Sequence, residues 1–77
     1  YPFEGLLIPI EVKSGESGKL RSLHLYMDVC KHKIAVRIWQ GKYLVNNLKT
    51  VNGKSFKLVS VPFYLISQLS QILKKNI

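Results

Sequence analysis

The spacing of apolar residues changes several times along this chain, and these changes limit the folds open to it. Apolar and polar side chains alternate over residues 6–13, which is typical of a strand with one buried face. Over residues 19–31 apolar residues recur every three or four positions, as in an amphipathic helix. The same reasoning predicts strands over 6–13, 33–39, 42–46 and 55–60 and helices over 19–31 and 62–75. This order, β-α-β-β-β-α, predicts a single α/β or α+β domain whose mixed central sheet is flanked by two helices.

Glycine and proline residues set the boundaries between these elements. Glu4-Gly5 predicts a hairpin turn before the first long strand, and Asn52-Gly53 predicts another before the last one. Gln40-Gly41 predicts a tight turn between the strands at 33–39 and 42–46. Pro9 has no N–H to donate to a sheet, so it must lie at an edge, at a bulge or where strand pairing ends.

The first helix carries apolar residues on two sides. Leu23 and Met27 belong to one stripe, whereas Leu25 and Val29 lie nearly opposite. A helix with two apolar faces usually packs between two layers. A chain of 77 residues is near the lower limit for one hydrophobic core. The second stripe therefore indicates either further chain or a partner.

The charge of the chain is strongly basic and unevenly distributed. Twelve Lys and Arg residues against four Asp and Glu give a net charge of +8. All four acids lie in the first 28 residues, and nine basic residues with no acid follow from Lys31 onward. This asymmetry predicts a polyanionic partner, with nucleic acid as the main candidate. A solvated basic face that only maintains solubility is the alternative, and the sequence leaves it open.

Cysteine and hydropathy patterns indicate a reduced, soluble, cytoplasmic protein. A single cysteine, Cys30, excludes an internal disulfide, and the chain has no Cys/His cluster with zinc-ligand spacing. The longest apolar run, 6–10, is too short to span a bilayer, so we expect no membrane segment.

Glu11-Val12-Lys13 is the one stretch whose residues predict chemistry. Alternation along a strand places Glu11 and Lys13 on one face and turns Val12 into the core. A carboxylate can bind Mg²⁺, and a neighbouring ammonium can offset the charge that develops on a phosphate. Two such common residues also occur as an ordinary surface pair, and the spacing alone does not decide between these readings.

The residues around this pair resemble a known nuclease motif. The run is Ile8-Pro9-Ile10-Glu11-Val12-Lys13-Ser14-Gly15, followed by Leu20-Arg21-Ser22-Leu23. It resembles the PD-(D/E)xK nuclease-like superfamily, and more narrowly the uncharacterised domain that follows the P-loop module in many bacterial AAA-type ATPases. The resemblance implies a partial restriction-endonuclease-like fold and Mg²⁺-dependent hydrolysis of DNA phosphodiesters. It makes Glu11 a metal ligand, the main-chain carbonyl of Val12 a second ligand and Lys13 the catalytic cation.

The sequence departs from that family at one position. The family's metal site includes an Asp that precedes the Glu, and the only acid before Glu11 here is Glu4. Six strand residues would place Glu4 about 20 Å away, too far to share a metal. We therefore expect the chain to be the C-terminal portion of a nuclease-like domain, inactive by itself, with the Asp upstream. The alternative is a non-catalytic module that binds nucleic acid or a protein.

Four basic residues are the predicted phosphate contacts: Lys19, Arg21, Lys33 and Arg37. Solvated charges at the start of a helix and on an amphipathic sheet face are the alternatives. The resemblance implies an ATPase module of the same protein as a partner, and an exposed strand edge would permit self-association. His24 and Cys30 are predicted to have structural roles only.

Overall fold

The computed structural model describes residues 1–12 and 21–76, with the side chain of Arg21 outside the described part. Within these ranges the chain forms a mixed sheet and two α-helices, as predicted. The elements are β1 (Pro2–Phe3), β2 (Leu6–Leu7), β3 (Ile10–Val12), α1 (Arg21–Val29), β4 (Ile34–Trp39), β5 (Leu44–Lys49), β6 (Ser55–Pro62), a 3₁₀ segment (Phe63–Gln68) and α2 (Leu69–Asn76).

The main sheet has four strands in the order β3-β4-β6-β5. Strands β3, β4 and β6 are parallel, and β5 is antiparallel to β6. The carboxyl ends of the three parallel strands therefore meet at one edge of the sheet, and α1 is the next described element after β3. Parallel pairing needs a crossover, and α1 supplies it between β3 and β4.

The two helices pack on opposite faces of this sheet. Alternate residues of β4 and β6 face either side, and both sets are buried, which gives two apolar clusters. The α2 side contains Ile34, Val36, Ile38, Val59, Val61, Leu69, Ile72 and Leu73. The α1 side contains Leu23, Met27, Ala35, Phe56 and Leu58. The predicted flanking of the sheet by two helices is confirmed.

The predicted strand over 6–13 is interrupted. Strands β1 and β2 form a hairpin whose turn residues Glu4 and Gly5 have φ angles of 49° and 82°, as a two-residue turn requires. The pairing ends at Ile8, and the chain then joins the main sheet as β3. Pro9 lies between the two pairings, and its carbonyl accepts a hydrogen bond from Val36 N at 3.0 Å. A proline therefore stands where ladder pairing changes partner, one of the positions that the sequence predicted.

The predicted position of β5 is wrong. This strand begins at Leu44 and extends to Lys49, and it pairs with β6 rather than with β4. Gln40-Gly41 therefore does not join two neighbouring strands. The Asn52-Gly53 hairpin is confirmed: it connects β5 to β6, and Gly53 has a φ of 88°. The tight hairpin makes β5 and β6 antiparallel neighbours.

The helices differ from prediction at their ends. The chain after Pro62 begins with the 3₁₀ segment and becomes α-helical only at Leu69. Helix α1 buries Leu23 and Met27, but Val29 on its other side is 80% exposed. The second apolar stripe of α1 thus has no covering layer in the described part of the chain. No described helix has the length and hydropathy needed to cross a membrane.

Candidate nucleic-acid interface at the strand ends

Three polar residues form a row across the main sheet near the carboxyl ends of its parallel strands. Glu11 of β3 is the register partner of Arg37 in β4, and Arg37 is the partner of Ser60 in β6. Partners in parallel strands share a face, and neighbouring strands are about 4.8 Å apart. The row therefore lies on the α1 side of the sheet, and parallel pairing makes Glu11 and Arg37 neighbours on adjacent strands.

Arg37 is held by two contacts. Its Nε donates to the hydroxyl of the buried Ser60 at 3.1 Å, and its guanidinium lies over the Trp39 ring, 4.0 Å from the ring centroid. Partial burial lowers the pKa of Arg37 from its ordinary value, and the group stays charged at neutral pH. Neither contact neutralises that charge. We call Glu11, Arg37, Trp39 and Ser60 the strand-end site.

Trp39 is itself fixed from two sides. Its Nε1 donates to the carbonyl of Lys42 at 3.0 Å. Gly41 lies so close to the indole that a Cβ there would be 2.5 Å from Cζ2 and 2.6 Å from Cε2. The guanidinium thus lies over the ring, and Gly41 lies close to its six-membered part.

The strand-end site is suited to bind an oxyanion. A guanidinium has five N–H donors, and Ser60 takes only the one on Nε. Neither terminal nitrogen of Arg37 donates a hydrogen bond to another residue of the described part, and together they form a planar fork that matches the oxygen spacing of phosphate or carboxylate groups. Glu11, half-buried, is the register partner of Arg37 on the next strand.

The structure separates the predicted phosphate contacts. Arg37 lies in the strand-end site, whereas Lys33 is exposed before the first residue of β4, at the opposite end of the sheet. Four strand residues span about 13 Å. Arg21 begins α1 on the same side of the sheet as Arg37, but its side chain lies outside the described part. Lys19 lies outside the described residues altogether.

The predicted pair around Val12 is described only in part. Glu11 lies on the α1 side, the same side as Arg37, and Lys13 falls outside the described residues. The prediction that Val12 is buried in the core is wrong, because its side chain is 60% exposed. Strand β3 is the edge of the sheet, and α2 covers the central strands more fully than this edge.

An apolar groove lies on the α2 side of the same strand ends. It has a volume of about 340 Å³, and Ile10, Val12, Ile38, Phe63 and Ile66 line most of it. Its remaining lining residues have uncharged side chains. The groove therefore offers no charged side chain to a phosphate, and the strand-end site on the other face does.

Acidic residues are sparse at the strand-end site. Glu4 lies in the β1–β2 turn and Asp28 near the end of α1, so Glu11 is the one described carboxylate beside Arg37. Residues 1–12 and 22–76 contain no group of three or more His, Cys, Asp or Glu side chains placed to hold a metal ion.

His24 and Cys30 occupy structural positions, in line with prediction. The His24 ring packs edge-on against Phe56 with centroids 5.2 Å apart. Cys30 packs beside the α1-side cluster, and its Sγ lies 3.7 Å from the Met27 sulfur. Both side chains thus help to fix α1 on the sheet.

Sequence reasoning missed two members of this region, Ser60 and Gly41. Ser60 stands inside the apolar stretch Leu58-Val59-Ser60-Val61, and a buried hydroxyl needs a hydrogen-bond partner. That isolated serine was the available signal. Nothing in the sequence distinguishes Gly41 from an ordinary turn glycine.

No protein-family model, curated protein or solved structure matches this chain. The case for a function therefore rests on the geometry of the strand-end site and on the charge of the chain. Both the geometry of this site and the positive charge of the chain favour the binding of an anion.

Proposed function

We propose that this chain is a nuclease-like domain, with a partial restriction-endonuclease-like fold, that binds the phosphate backbone of DNA at the strand-end site. The activity that we propose for this chain by itself is DNA binding. Hydrolysis would need a second acidic ligand for the metal ion. Among the described residues, the strand-end site contains one acidic residue, Glu11. The ATPase module implied by the sequence resemblance remains a prediction.

One observation carries this proposal: the guanidinium of Arg37 is fixed by Ser60 and Trp39 with its terminal nitrogens unused by either. A free arginine loses rotamer entropy when it binds a ligand, and one already held in place loses less. A fixed, charged fork is the form in which proteins recognise phosphate most strongly.

The charge of the whole chain supports the same ligand. A net charge of +8 attracts a polyanion over a distance set by ionic strength, and salt screens that attraction. Backbone contacts of this kind bind without reading base sequence. We therefore propose sequence-tolerant binding whose affinity falls steeply with salt.

Glu11 offers one oxygen donor of the kind that a divalent cation prefers. Mg²⁺ prefers oxygen ligands and is often held by one or two carboxylates, waters and substrate phosphates. Glu11 and the main-chain carbonyl of Val12 would hold it, with Lys13 next along the chain. A bound Mg²⁺ supplies Lewis-acid polarisation of a phosphoryl oxygen. The residues of this chain orient the phosphate. Arg37 donates hydrogen bonds to its oxygens, and Glu11 contributes a negative charge from the neighbouring strand.

The proposal is tested by fluorescence anisotropy with a short labelled DNA duplex. Arg37→Ala should weaken binding about tenfold, because a charge-assisted hydrogen-bonding group is removed. It should also reduce the slope of log affinity against log salt by about one. Lys49→Ala is the matched control, since it removes one charge from the exposed far end of β5. Equal affinities for the two variants would overturn the proposal.

A second assay separates binding from cleavage. Wild type and Glu11→Ala are incubated with the same duplex and Mg²⁺ or Mn²⁺, and the DNA is resolved on a gel. We expect binding without cleavage by this chain. Cleavage that Glu11→Ala abolishes would instead assign hydrolysis to the chain as it stands.

A further inference from the structure

Trp39 and Gly41 hold Arg37 in position without contacting a ligand themselves. We infer that both are positioning residues for phosphate binding, and that the lack of a side chain at Gly41 sets the orientation of the guanidinium. This inference rests on the proposed function, because it names residues that act on the same site through Arg37. It predicts that DNA affinity depends on the turn at Gly41, although the DNA does not contact that turn.

The contacts of Arg37 leave its guanidinium little freedom. The hydrogen bond from Nε to Ser60 fixes one edge of the planar group, and the Trp39 ring fixes the tilt of the plane. A cation over an indole is attracted by the negative face of the ring. Loss of the ring would leave Arg37 attached at one point only, so its fork would no longer point in one direction.

Gly41 keeps the ring in that position through its small size. Its φ angle does not lie in the positive range, unlike those of Gly5 and Gly53. Backbone conformation therefore does not require glycine at position 41. The lack of space beside Trp39 requires glycine instead. A Cβ at position 41 would lie within 2.8 Å of three atoms of the Trp39 ring, closer than side chains tolerate. The methyl group introduced by Gly41→Ala must displace the indole, and the Arg37 guanidinium that lies over the indole must move as well.

The same contacts argue against a direct role for Trp39 in binding bases. An aromatic side chain that stacks on nucleotides needs an open face. The guanidinium lies over this ring, Gly41 lies close to it, and the indole N–H is used by the Lys42 carbonyl. The indole thus acts on the ligand only through Arg37.

The inference is tested with Gly41→Ala, measured by two readouts. Trp39 is the only tryptophan of the chain, so its emission spectrum reports the displacement of the ring. We expect a changed emission spectrum and DNA affinity lowered about three- to tenfold. In an Arg37→Ala background the same substitution should cost almost nothing, because the group that it displaces is gone. Val51→Ala, at an exposed position in another turn, is the control.

Each outcome separates this inference from the proposed function. Unchanged DNA affinity in Gly41→Ala would overturn the inference and leave the proposed function standing. An equal loss in the wild-type and Arg37→Ala backgrounds would also overturn it. Equal binding by wild type and Arg37→Ala would overturn the proposed function instead. If Gly41→Ala does not fold, Trp39→Leu replaces it, and wild-type affinity in that variant would overturn the inference.

Discussion

Arg37 donates a hydrogen bond from Nε to Ser60, whose side chain has no exposed surface. Ser60→Ala removes the acceptor and leaves that N–H without its partner. We expect the free energy of unfolding to fall by about 1 kcal/mol, the usual value of one such hydrogen bond. DNA affinity should fall too, because the guanidinium keeps only the Trp39 contact. Urea denaturation and anisotropy measure the two effects.

Ser55→Ala is the matched control for that experiment. Ser55 begins the same strand and is exposed, so its loss should change stability by less than about 0.5 kcal/mol. Equal stability of the two variants would show that the Ser60 hydrogen bond contributes nothing.

Much of the fold follows from local patterns in the sequence. The alternation over 33–39 predicted β4 within one residue, and the Glu4-Gly5 and Asn52-Gly53 turns have the predicted positive-φ glycines. These features depend on neighbouring residues, which a sequence displays directly. The partner of β5 depends on competition between two turns, at Gln40-Gly41 and Asn52-Gly53. Local propensity does not resolve such a competition, because the tertiary packing of β4 against β6 decides it.

The strand-end site was less predictable than the fold. Glu11 and Arg37 are far apart in sequence, and only the parallel register of β3 and β4 makes them neighbours. Val12 was predicted to be buried because alternation identifies a face but not whether that face is covered at a sheet edge. The nuclease chemistry and the phosphate contacts at Lys19, Arg21, Lys33 and Arg37 remain predictions.

Helix α1 offers a direct comparison of its two apolar stripes. Met27 is fully buried and Val29 is 80% exposed on the same helix. Met27→Ala should therefore reduce the free energy of unfolding by about 2–5 kcal/mol through lost burial and a cavity. Val29→Ala should change it by less than about 0.5 kcal/mol. Thermal or urea denaturation monitored by circular dichroism decides this, and a large loss in Val29→Ala would reveal an intermolecular contact on that stripe.

Gly53 illustrates a glycine required by conformation rather than by space. Its φ is 88°, and a Cβ at this position would meet no heavy atom within 4 Å. Gly53→Ala should cost about 1 kcal/mol in unfolding free energy, entirely from backbone strain. Val51→Ala in the same turn is the control, with no expected effect. Wild-type stability of Gly53→Ala in urea would contradict the turn geometry of the β5–β6 hairpin.

Glu11 should oppose DNA binding when no divalent cation is present. Glu11 is the register partner of Arg37, so its carboxylate would repel a phosphate bound at that guanidinium. Glu11→Gln should therefore tighten binding about two- to fivefold at low salt, and the gain should shrink as salt rises.

Glu4→Gln is the matched control for Glu11→Gln. It makes the same change of charge in the exposed turn between β1 and β2, so an effect of net charge alone would appear equally in both variants. Anisotropy titrations in EDTA measure the difference, and repeats with Mg²⁺ should favour the wild type, whose carboxylate can then hold the cation. Equal affinities of the two variants in EDTA would show that the Glu11 carboxylate does not face a phosphate bound at Arg37, and this prediction would then be wrong.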